Sequence, residues 1–94
     1  MKFGFPIPNC REGRDNLTGF IGAKALIELA QECERLGFDA GWANDYLTTP
    51  KTSVQRFDPP PSWYESMLSL CAIAVKTERV ALGVAVIVMP FREP

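Results

Sequence analysis

Asp45 and Tyr46 are residues whose types could do chemistry. They follow Asn44 at the end of a short apolar stretch, Phe38 to Ala43, where a strand would give way to a loop. A carboxylate in such a place can orient a substrate or move a proton. Its structural alternative is a loop-starting Asx turn or a cap. Tyr46 can donate a hydrogen bond, but a phenol is a poor base near neutral pH, and the chain has no histidine to take that part. Cys10, Cys33 and Cys71 are far apart and lack CxxC spacing, which argues against a zinc site or a disulfide framework. Cys33 and Cys71 fall on apolar helix faces, so they are expected to be core thiols in a reducing compartment. Trp42 on a strand and Trp63 in a first helical turn are expected to pack in the core or at an interface.

The elements that must position these residues alternate in type. Phe3 to Ile7 reads as a short buried strand ended by Pro8 and Asn9. Residues 9–18 read as a polar loop. A helix is predicted from about Phe20 to Leu36, with Ile21, Ala25, Leu29, Cys33 and Leu36 on one stripe, widened by Leu26 and Ala30. Lys24 and Glu28 form an i,i+4 pair, and Gly37 is placed to stop the helix. Phe38 to Ala43 is the second strand. Residues 44–61 read as a long, proline-rich loop. Ser62 and Glu65 fit a capping box for a second helix running to about Lys76, with Tyr64, Met67, Leu68, Cys71, Ala72 and Val75 on its apolar face. Val80 to Met89 is an almost unbroken apolar run ended by Pro90, the pattern of a parallel strand covered on both faces.

The order is β-α-β-α-β, which predicts an α/β fold with parallel strands and right-handed crossovers. A (β/α)8 TIM barrel and an open doubly wound sheet both begin this way. The three-glycine phosphate fingerprint is missing, since Gly13 stands alone after the first strand and Gly19 and Gly22 have the wrong spacing. A length of 94 residues, with 47% hydrophobic and 22% charged residues, describes globular protein rather than disorder. The net charge of -1, without blocks of like charge, gives no reason to expect nucleic acid or an acidic membrane surface as partner. Pro6 and Pro8 interrupt any signal-peptide core, and no apolar run approaches the ~20 residues of a membrane helix, so a cytoplasmic location is expected.

Three stretches carry a family resemblance. Leu36-Gly37-Phe38-Asp39-Ala40-Gly41-Trp42-Ala43-Asn44-Asp45 resembles the first helix-to-strand turn and second strand of luciferase-like monooxygenases. Arg79 through Pro94 resembles their third strand and the following loop, and Trp63 to Thr77 resembles the helix between. The matches lie in the family's order and at its separations. The resemblance implies a TIM barrel, of which residues 1–94 would be the N-terminal portion, and an oxidoreductase or monooxygenase using FMN or the deazaflavin F420. Overall similarity lies slightly towards the F420 branch. Barrels of this kind exceed ~250 residues, so the expectation is an incomplete barrel that is not active alone.

By this resemblance the active face lies at the C-terminal ends of the strands, near Pro8 to Cys10, Asn44 to Tyr46 and Met89 to Arg92. Asp45 would sit beside the flavin ring and, with Tyr46, form the catalytic pair. Tyr46 stands where many relatives have histidine, so a histidine acid–base mechanism is not expected here. Pro8, Asn44, Ala85 and Val86 would contact the cofactor. Several relatives have a cis peptide bond between non-proline residues behind the ring, and alignment places it at Ala85-Val86. Arg11, Arg14, Lys51 and Arg56 could meet an anionic cofactor tail, but barrels usually bind phosphate near their last strands, so solvated loop charges are expected. The partners implied are a small-molecule substrate, a flavin-type cofactor and either the remainder of the barrel or further copies of the chain. The alternative reading is a non-catalytic module that forms a homo-oligomer through open sheet edges.

Overall fold

The computed structural model describes residues 1–12, 22–46, 51–56 and 62–92. Its elements are β1 (Gly4–Pro6), β2 (Cys10–Glu12), α1 (Ala23–Arg35), β3 (Ala40–Ala43), α2 (Lys51–Arg56), β4 (Ser62–Trp63), α3 (Ser66–Ala74) and β5 (Ala81–Val84), followed by one 3-10 turn at Met89–Phe91. Strands β1, β3 and β5 form a parallel sheet in that order, with Phe5 beside Gly41 and Gly41 beside Leu82. The expected parallel β-α-β-α-β unit is therefore present. The order of its strands is that of their sequence, which a barrel and one kind of doubly wound sheet share.

The sheet has two unlike faces. Side chains alternate along a strand, so Phe5, Gly41, Ala43, Leu82 and Val84 share one side. There Phe5, Ile7 and Ala43 join Leu26, Ala30 and Cys33 of α1, Leu70 and Ile73 of α3, and Val80 in a single core. The Phe5 and Phe38 rings meet edge to face at 5.7 Å. On the other side lie Gly4, Ala40, Trp42, Ala81 and Gly83. The Trp42 indole lies there, 48% exposed, across its neighbouring strands.

Helix α1 is built from strong helix formers and stops where the glycine predicted it. Gly37 adopts φ 93°, and the amides of Gly37 and Phe38 donate to the carbonyls of Glu34 and Cys33. That is the paired-bond ending a left-handed residue permits. The following turn is held from the same helix. The Glu34 carboxylate accepts from the amides of Glu78 (3.1 Å), Arg79 (2.6 Å) and Val80 (2.7 Å), which sets the start of β5. At this same end, the Asp39 carboxylate accepts from the Phe3 amide at 2.8 Å and ties β3 to β1.

Several expectations need correction. The buried face of α1 is Leu26, Ala30 and Cys33, while Leu29 and Leu36 are exposed. Helix α3 begins at Ser66, not Ser62. Its N-cap is Glu65, whose carboxylate accepts from the Leu68 amide at 2.6 Å. The chain at Ser62 and Trp63 instead pairs antiparallel with Cys10–Glu12, part of the stretch expected to be loop. Trp63 thus lies on a strand. The face of α3 expected to be buried is largely exposed: Leu68 is 72% and Val75 78% accessible, and Met67 and Cys71 are exposed too. The buried residues are Ser66, Ser69, Leu70 and Ile73. The two serines, which a pattern reading turns outward, lie on the buried face, and methionine, leucine and valine are left outside. Lys51 and Arg56 lie on α2, a helix inside the predicted loop. Strand β5 ends at Val84, well before Met89. Ile21 and Arg14 fall outside the described residues. No described helix is long and apolar enough to cross a membrane.

Candidate functional site

Parallel pairing brings the C-terminal ends of β3 and β5 side by side, with Ala43 opposite Val84. Beyond them Asn44, Asp45, Tyr46, Trp63, Ala85, Val86 and Val88 line a cleft of about 280 Å³. Five of the six residues expected in the site are thereby gathered: Asn44, Asp45, Tyr46, Ala85 and Val86. Pro8 is half-buried at the end of β1 and does not line the cleft. The Ala85-Val86 peptide bond is cis, at the position the resemblance indicated. A second, apolar groove of about 200 Å³ runs between α1 and α3, away from the strand ends.

The cleft has an aromatic wall. The rings of Tyr46 and Trp63 are 4.8 Å apart and tilted by 33°. The antiparallel ribbon of β2 and β4 holds Trp63 in place, since the Trp63 backbone pairs with Cys10. The indole Nε1 of Trp63 is buried and has no hydrogen-bond partner among the described residues. Tyr46 is 42% exposed.

Asp45 is not an idle carboxylate facing the cleft. Its side chain is 1% exposed, and both oxygens are occupied. Oδ1 accepts from the Ser66 hydroxyl at 2.9 Å and from Arg92 Nη2 at 2.6 Å; Oδ2 accepts from the Val88 amide at 2.8 Å. Burial pushes its pKa up. The Val88 amide, the Ser66 hydroxyl and the Arg92 guanidinium outweigh that and hold the carboxyl below its ordinary value. Arg92 also donates to Glu65 Oε1 at 3.0 Å, so one guanidinium group bridges two carboxylates. Together these contacts bind the end of β3, the first turn of α3 and the segment after β5 into one piece.

Sequence reasoning placed Asn9 and Arg92 near the site by position but missed the parts they play. Asn9 is fully buried. Its Nδ2 donates to the carbonyls of Asn44 (2.8 Å) and Tyr64 (3.1 Å), its Oδ1 accepts from the Asn44 amide (3.0 Å), and its own carbonyl accepts from the Tyr64 amide (2.8 Å). The side chain of Asn44 donates to Cys10 Sγ at 3.5 Å. Asn9 thus joins β1, β3 and the approach to α3 at the site end of the sheet. The signal available was a side-chain amide directly after a strand, which reads equally as a turn residue. No group of residues able to hold a metal ion occurs among the described residues.

The comparisons with known proteins agree with this arrangement at the level of family. A family model described as luciferase-like monooxygenase matches residues 1–94. No curated protein and no solved structure matches the chain.

Proposed function

Because the chain belongs to the luciferase-like monooxygenase family, we propose that its cleft forms part of the site of a flavin- or F420-dependent oxidoreductase acting on a small organic substrate. The observation that carries this reading is the convergence of Asn44, Asp45, Tyr46, Ala85, Val86 and Val88 on one cleft at the C-terminal ends of parallel strands, where α/β folds place their sites. The lining suits a planar heteroaromatic ring. Tyr46 and Trp63 offer flat apolar surface, and Ala85, Val86 and Val88 add aliphatic lining. When bound, FMN or F420 would supply the redox chemistry.

The chain's own residues then divide the work. Asp45 keeps its charge and holds the walls in place, acting as a positioning residue rather than a proton carrier. Tyr46 presents a hydroxyl that can donate a hydrogen bond to a polar atom of substrate or cofactor. Asn44 and the Ala85-Val86 backbone shape the surface against which the ring would rest.

Strands β1 and β5 are edge strands of the described sheet, and α3 exposes Met67, Leu68 and Val75. These features support further β/α units completing a barrel around the cleft. They equally favour a second reading, self-association of this chain through open edges and the α3 face. Sedimentation separates the two: a monomer that binds cofactor supports the first reading, and an oligomer without cofactor affinity supports the second. The direct test is titration of the intact protein with FMN and with F420, followed by absorbance and fluorescence. Tight binding of one, with a spectral shift, is expected; binding of neither overturns the proposal.

A further inference from the structure

We propose that Arg92 is a positioning residue of the cleft, clamping the segment that follows β5 against Asp45 and Glu65 so that Val86, Val88 and Tyr46 keep the shape of the site. This deepens the functional reading above and rests on it only for the identity of the ligand.

Asp45 alone grips this segment at two points, the Val88 amide on Oδ2 and the Arg92 guanidinium on Oδ1. The 3-10 turn at Met89–Phe91 lies between them, so one carboxylate closes a five-residue loop. Arg92 then carries the grip across to α3, because the same Nη2 reaches Glu65 Oε1 at 3.0 Å and lies 3.5 Å from Ser66 Oγ. Glu65 is itself fixed, since its other oxygen caps α3 through the Leu68 amide. Val88, whose amide is gripped, and Asn44 and Tyr46, which flank Asp45, line the cleft next to these anchors. Arg92 does not line the cleft, so its influence on a ligand must pass through them.

Charge decides why an arginine is needed. Asp45 and Glu65 both lie within reach of one point, and two carboxylates held together repel unless a cation lies between. The guanidinium is always charged and presents donors in a fixed fork, whereas a lysine ammonium is a point charge on a flexible stem. Every Arg92 side-chain hydrogen bond among the described residues comes from the single Nη2, so a lysine ammonium, with three donors, keeps the charge and loses mainly reach and rigidity. Arg92→Lys is therefore expected to hold the segment partly, and Arg92→Met not at all.

The test uses the intact protein and two readouts. Near-UV circular dichroism of the ligand-free protein, measured in a Trp42→Phe background that leaves Trp63 as the single indole, reports the surroundings of the Tyr46–Trp63 pair, and titration with FMN and with F420 reports ligand binding. Arg92→Met is expected to change the aromatic circular dichroism signal and weaken cofactor affinity by about tenfold or more, with Arg92→Lys between it and the parent. Glu34→Gln, at the opposite end of the sheet, serves as the control. It loosens the fold without touching the cleft and should leave both readouts unchanged in the folded protein. An unaltered aromatic signal in Arg92→Met overturns the inference whatever the cofactor does. A loss that Glu34→Gln reproduces at equal thermal destabilisation overturns it too. If the parent protein binds neither cofactor, the functional reading fails, and the circular dichroism arm still decides the role of Arg92.

Discussion

The indole of Trp42 fills the space that a side chain at Gly83 would need. A Cβ placed on Gly83 would lie 2.6 Å from Trp42 Cζ3 and 2.8 Å from Cε3. The pyrrole edge of the same ring crowds Gly4 on the other neighbouring strand, at 2.9 Å from Nε1. Gly41 is closed from the opposite face, where a Cβ would meet Phe5 Cζ at 2.9 Å and Ile7 Cδ1 at 3.1 Å. The two obstacles differ. Trp42 is half-exposed and can swing away, but Phe5 and Ile7 are buried in the core. Gly83→Ala is expected to cost under ~1 kcal/mol and to shift tryptophan emission as the ring moves, whereas Gly41→Ala is expected to cost about 1–3 kcal/mol through overpacking. Urea denaturation of both variants checks the order; a larger loss in Gly83→Ala would contradict it.

Breaking the buried ion pair should be expensive. Asp45→Ala leaves the Val88 amide and the Ser66 hydroxyl without their acceptor and takes one of two counter-charges from Arg92. Removing one partner of a buried pair typically costs about 3–5 kcal/mol. Arg92 is partly accessible and keeps Glu65, so the lower end, about 3 kcal/mol, is expected by chemical denaturation. A change below ~1 kcal/mol would show that the network contributes little.

Acid should loosen the fold in a defined direction. Three consecutive backbone amides, those of Val80, Arg79 and Glu78, hold the Glu34 carboxyl below its ordinary 4.5, and Asp45 lies below its ordinary 3.8. Carboxyls lowered by folding bind protons more weakly in the native state than in the unfolded chain. Stability is therefore fully present above the ordinary values and declines as the pH falls from there through the folded pKa values. Thermal melting between pH 6 and pH 2.5, on the order of one scan per half unit, should show a flat region and then a falling midpoint. Glu34→Gln should reduce the steepness of that fall; a midpoint that rises on acidification would reverse the assignment.

The three thiols should react unequally. Cys71 is exposed on α3, whereas Cys10 and Cys33 are buried. Burial, helped by the neighbouring Glu32 charge, pushes the Cys33 thiol up and leaves less thiolate to react. Maleimide labelling mapped by mass spectrometry should modify Cys71 about tenfold faster or more than Cys33. Equal rates would mean that α1 does not stay packed on the sheet.

Asn9 should tolerate neither of its nearest replacements. Asn9→Asp loses two donated bonds and turns a carboxylate towards the carbonyls of Asn44 and Tyr64. Asn9→Leu leaves those groups buried without partners. Each should cost about 2–4 kcal/mol, measured by denaturation at pH 7. A neutral Asn9→Leu would show that water replaces the amide.

The parallel order and the Gly37 stop were legible because each rests on local pattern or on chain direction; the gathering of Asn44 to Tyr46 with Ala85 and Val86 followed from the family resemblance. The face of α3 escaped because its two polar residues lie on the buried side, where Ser66 reaches Asp45 and Ser69 satisfies itself on the Glu65 carbonyl of the preceding turn. The capping box failed because the chain at Ser62 is drawn into the ribbon with β2, a pairing across some fifty positions that no local spacing encodes. Asn9 and Arg92 belong to the same class, since their partners lie 35 or more and 26 or more positions away.

Asn9 and Asp45 fasten the same end of the sheet in chemically different ways. The amide carries no charge and does not titrate at any ordinary pH, so its links among β1, Asn44 and Tyr64 are indifferent to acid. The carboxylate's links to Val88 and Arg92 are not. On acidification the two halves of the cleft rim should therefore part company: the β5 side comes adrift first, while the β1–β3 side stays moored to the start of α3.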